Sequence, residues 1–103
     1  MVAILVGLAL RLTLSTMVAV EPATITARAV IPPDIANRGA CVSVWERGAN
    51  AAEQESCWTL NGARESASFS RTFARLLAGE YVVRLIVRTT HGDLMRTAPL
   101  LVG

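Results

Sequence analysis

The stretch that most constrains this chain is Leu76 to Arg88, Leu-Leu-Ala-Gly-Glu-Tyr-Val-Val-Arg-Leu-Ile-Val-Arg. From Tyr81 on, Tyr81, Val83, Leu85 and Val87 fall on one face, and Val82, Arg84, Ile86 and Arg88 on the other. Alternation with period two, in a run rich in β-branched residues, predicts a strand with one buried face. One strand cannot bury that face alone, so other segments must cover it.

Five further segments read as strands. Ala23 to Ile31 alternates weakly and ends at Pro32-Pro33, neither of which can donate to a ladder. Ala40 to Glu46 and Glu55 to Leu60 flank a polar loop, and Asn61-Gly62 is a turn pair. Arg64 to Phe73 alternates Phe69, Arg71 and Phe73 with serines and Thr72. Leu94 to Val102 returns after a loop read as Thr90 to Gly92, which sets Val87 opposite Met95. Pro99 argues for an edge position for this last strand. About six short strands at this spacing, without a long helix, predict an all-β antiparallel sandwich.

Residues 1–20 are apolar and end before Glu21-Pro22. They read as a secretory signal peptide, a hydrophobic signal helix ahead of a domain spanning residues 21–103. Arg11 at the middle of a membrane span would cost about 2.5–3.5 kcal/mol, which favours a transient signal over a stable anchor. The expectation is a periplasmic or secreted protein, touching membrane only through this segment if it is retained.

The net charge is +2, too small to imply a nucleic-acid partner. All ten basic residues are Arg, as a GC-rich coding bias would give. The two cysteines, Cys41 and Cys57, flank the second hairpin. Facing each other, they set Val44 opposite Gln54 and Val42 opposite Ser56. A disulfide closing a loop of that length stabilises by about 3 kcal/mol in the chain-entropy model, a large share for so small a domain. Alternation puts the bridge on the outer face of one sheet, opposite Val42, Val44, Trp58 and Leu60.

Leu77-Ala78-Gly79-Glu80-Tyr81 resembles the Leu-x-Pro-Gly-x-Tyr corner of fibronectin type III-like and other immunoglobulin-like domains, with Ala78 in place of Pro. The whole chain resembles small bacterial exported proteins of that architecture. The resemblance implies an immunoglobulin-like fold and a structural corner at Leu77, Gly79 and Tyr81. It implies no catalytic residues.

Few residues invite chemistry. His91 is the only imidazole and falls at a loop tip. Glu53 and Glu55 lie on a polar loop running into a strand, and Asp34 stands apart from them. No catalytic residue, metal site or cofactor is expected. Arg84, Ile86 and Arg88 form a candidate binding surface on the outer face of the central strand. Trp45, on the cysteine face, can anchor a partner or stack on a sugar. The expected function is a non-enzymatic protein-interaction or accessory module for an envelope or extracellular protein. The alternative is a glycan-binding module of the cell envelope using Trp45.

Overall fold

Period-two alternation governs nearly the whole molecule. In the computed structural model, residues 10–62 and 67–103 are described, and they form eight strands. These are β1 (Arg11–Leu14), β2 (Val18–Ala19), β3 (Ala23–Ile31), β4 (Asn37–Glu46), β5 (Gln54–Thr59), β6 (Ala67–Leu76), β7 (Gly79–Thr89) and β8 (Gly92–Val102). One sheet has the order β1-β3-β6, the other β2-β8-β7-β4-β5. All pairings are antiparallel except β2 with β8, which is parallel.

The core lies between the sheets. Ile25, Ala27, Ala29, Ile31 and Phe73 come from the smaller sheet; Val42, Val44, Val83, Leu85 and Val87 come from the larger. The organising strand is central, with β4 and β8 on its two sides. The three-stranded sheet is narrower than its partner, so β8 is only partly covered. Leu94, on the inward parity of β8, stays 47% exposed. Arg96, next on that parity, lies exposed, and its Nε donates to the Leu10 carbonyl at 3.3 Å.

The expected N-terminal signal helix is corrected. No helix occurs among the described residues. Arg11 to Leu14 pairs with Val30 to Ala27 of β3, and β2 pairs with Leu101 and Val102. Leu10 is buried, and Leu12 and Leu14 pack against the core, while Arg11 points outward and is exposed. The reason is local: Leu10, Leu12 and Leu14 alternate with Arg11, Thr13 and Ser15, which is strand periodicity inside an apolar run.

Several boundaries also differ. The turn between β7 and β8 has two residues, Thr90 and His91, because Thr89 pairs with Gly92. Gly92 takes φ +118°, and the Thr89 hydroxyl donates to its carbonyl at 2.7 Å while accepting from the His91 amide at 3.0 Å. Val87 therefore faces Leu94, and Ile86 faces Met95. Strand β4 begins at Asn37, earlier than expected, with a register shift against β7 between Asn37 and Gly39. The Arg64 end of the expected fourth strand falls outside the described residues.

Candidate functional site

The site grows from the β4–β5 pairing. Cys41 faces Cys57, Val42 faces Ser56 and Val44 faces Gln54. The two sulfurs are bonded, with the Cα atoms 4.1 Å apart. Because β5 is an edge strand, one flank of the bridge opens to solvent: Cys57 is exposed and Cys41 half-buried.

Rows of outer-face residues run across the strands on either side. The bridge row reads Cys57, Cys41, Ile86, Met95. On one side the next row reads Glu55, Ser43, Arg84, Thr97; on the other it reads Thr59, Gly39, Arg88, Asp93. The Glu55 carboxylate and both sulfurs lie within 4.8 Å of one another. Opposite, Gly39 has no side chain to fill its place in the row. A recess of about 280 Å3 results, lined by Gly39, Cys41, Cys57, Thr59 and Arg88 among others. The bridge thus has an anionic flank and a cationic one.

The other residues of the expected binding strip are not brought together as free groups. The Arg84 guanidinium lies 4.5 Å from the Trp45 ring, and the indole Nε1 donates to the Ser43 hydroxyl at 2.7 Å. Trp45 is half-buried and occupied by its own sheet. Ile86 is half-buried beside Cys41 and Met95. Arg88 alone is exposed and makes no ion pair among the described residues. Arg71 belongs to the other sheet, 5.9 Å from the ring of Trp58, which itself stacks on Phe69 at 4.6 Å.

The corner residues Leu77, Gly79 and Tyr81 act on structure. The Tyr81 hydroxyl donates to the Leu77 carbonyl at 2.7 Å, and the Ala78 amide donates to the Glu21 carboxylate at 2.8 Å. Burial first, then the carboxylates of Glu46, Glu53 and Glu21, hold the Tyr81 phenol above its ordinary value. A larger cleft of about 410 Å3 lies between Met17 and the outer face of β7 and β8. Its lining is chiefly apolar, and its charges, Arg47 and Glu80, form an exposed pair at 3.4 Å. No reactive groups converge there.

Of the groups read as possible ligands, Asp34 caps its own turn, accepting from the Ala36 amide at 2.8 Å. His91 sits exposed in the β7–β8 turn. The sole described cluster of metal-capable donors is Cys41, Glu55 and Cys57. Sequence reasoning treated Glu55 as a solvated acid and passed over Gly39. The cysteine register held the missing signal, since it sets Ser43 against Glu55 and Gly39 against Thr59.

No protein-family model matches the chain, and no curated protein sequence matches it. Solved structures do. The superoxide reductase (neelaredoxin) from Ignicoccus hospitalis superposes with a TM-score of 0.65 at 12% identity, over 89% of this chain and 80% of that one. Two single-site variants of the same enzyme give 0.60 and 0.62 at 13% and 14% identity. At such identity the likeness is one of fold.

These neighbours correct the sequence reading. The architecture is that of superoxide reductases, where an immunoglobulin-like or fibronectin type III-like exported module was expected. The neighbours are enzymes, so the non-enzymatic interaction or accessory role, and with it glycan binding through Trp45, is withdrawn. The protein-binding descriptor that followed from it goes with it. The physical cause is that a period-two pattern and a Gly-x-Tyr corner specify packed sheets and not what the sheets carry.

Proposed function

We propose that this protein is a small thiol–disulfide redox protein on a superoxide reductase-type scaffold, with Cys41 and Cys57 as the reacting pair. The observation that carries the reading is the position of the bridge. It lies on an edge strand with Cys57 exposed, beside a recess, at the one described convergence of redox-capable and metal-capable side chains. Disulfides react by thiolate attack through a mixed disulfide, and access to a sulfur governs the rate. That the neighbours of like fold are named as reductases agrees with redox chemistry in general terms.

A redox metal of the kind held by several imidazoles does not fit this chain. Such centres draw on histidine clusters, whereas the sequence has one His. His91 lies in the turn beyond Thr89, while Cys41 pairs with Ile86. Oxidised, the two sulfurs are bonded to each other and are not thiolate ligands.

The test is equilibration of the folded protein with mixtures of reduced and oxidised dithiothreitol. Alkylation and mass measurement give the dithiol fraction, and far-UV circular dichroism follows the fold in parallel. The expected result is a reversible two-electron transition with the β spectrum retained. A bridge that is reduced only as the chain unfolds is a structural staple, and the reading is then wrong.

A further inference from the structure

The recess beside the bridge points to the class of partner the pair exchanges with, an inference that rests on the redox reading above. Its shape has identifiable causes. The β4–β7 register shifts just before Gly39, and bulges of this kind often adjoin reactive sites. Gly39 pairs with Thr59 on one side and Arg88 on the other, so the gap at its missing side chain adjoins the disulfide row. Gly39 has no left-handed backbone that would require glycine. A Cβ added there would meet only the Trp58 carbonyl oxygen, at 3.4 Å. The backbone tolerates a side chain at this position, and the chain carries none.

Charge then selects. Arg88 walls the recess and is exposed, and its cross-strand neighbour Asp93 is not within ion-pair distance. Glu55 stands on the opposite side of the bridge with its carboxylate within 4.8 Å of both sulfurs, so an anion is repelled least, and offset by Arg88, on the recess side. A volume of about 280 Å3, below the usual range of ligand pockets, leaves room only for a molecule of a few heavy atoms.

From this geometry we infer that the recess receives a small anionic thiol, its acid group on Arg88 and its sulfur at the bridge. The ligand's thiolate attacks Sγ of Cys57, which belongs to the more exposed residue of the pair. A bond forms between the two, the Cys41–Cys57 bond breaks, and Cys41 leaves as a thiolate. A second thiolate of the same class attacks the ligand sulfur of this mixed disulfide and releases Cys57 as a thiolate. Two ligand thiols are oxidised to one ligand disulfide, and the protein gains the two electrons. Gly39 and Arg88 are specificity residues; the reacting atoms are the sulfurs.

The experiment compares reduction of the oxidised protein by 3-mercaptopropionate, 2-mercaptoethanol and cysteamine at low salt, with each rate expressed per thiolate. The anionic thiol is expected to react about tenfold faster than the cationic one, the gap closing in high salt. R88A should bring the anionic rate down to the neutral one, and R88E should invert the order. G39V should slow all three thiols while circular dichroism shows an unchanged fold. Equal rates for the three thiols, or an order indifferent to Arg88, overturn the anionic preference and leave the redox reading standing. A bridge inert to all three in the folded protein overturns both.

Discussion

Strands β4 and β7 each carry two faces, and the two obey different rules. Inward, Val42, Val44, Val83, Leu85 and Val87 are completely buried. Any of several aliphatic residues of similar volume would serve there, because the force is non-directional and scales with apolar area. Outward, residues are set by pairwise chemistry or left open beside the bridge. Cys41 is bonded to Cys57, Trp45 is held by Ser43 and Arg84, and Arg88 stands beside the gap at Gly39. The inner face says that the chain folds into packed sheets. What it does is written outside, in pairwise chemistry that alternation alone does not reveal.

The contrast can be broken by substitution, face by face. Leu85→Ala on the inner face should cost about 4 kcal/mol, through lost transfer energy and a cavity between the sheets, read by urea denaturation. If this change costs no more than an outer-face truncation, the division between the faces fails. On the outer face, Cys57→Ser should cost about 3 kcal/mol from loop-closure entropy, and reduction of the wild type should reproduce the loss. Tyr81→Phe, at the corner, should cost about 1 kcal/mol for one hydrogen bond.

That same phenol gives a pH signature. Its folded-state value is raised, so its contribution to stability is fully present below the ordinary value of 10.0 and lost as pH rises through the folded value. The wild type should lose stability across that alkaline window, and Tyr81→Phe should flatten the loss in denaturation curves taken at successive pH values. The smallest effect is reserved for Arg84→Ala, about 0.5–1 kcal/mol for a cation–π contact at a partly exposed ring, with a change in Trp45 fluorescence as its marker.

Much of the inner face was legible in the sequence. Tyr81 to Val87 alternates so regularly that its buried side could be named. Setting Cys41 opposite Cys57 was enough to work out which residues face one another across β4 and β5. The described part of the apolar N-terminal stretch carries two short strands, Arg11–Leu14 and Val18–Ala19, whose period was masked by the apolar composition around it. Arg11 is the outward residue of β1. The β7–β8 turn was misjudged by one residue, since Gly92 suits the end of a three-residue loop as well as the start of a strand. The recess was not legible at all. It depends on a register shift and a missing Cβ on one strand, an arginine on a second and a sulfur on a third.

The placing of the bridge on the outermost strand has a further consequence. An edge strand holds the sheet by one ladder only, so it is where the sheet opens first. With Cys41 and Cys57 joined, β5 cannot peel away from β4; with them reduced, nothing covalent prevents it. Amide exchange and proteolytic nicking along Gln54–Thr59 would then report the oxidation state directly, rising in the dithiol form while the strands around Val83 stay shielded.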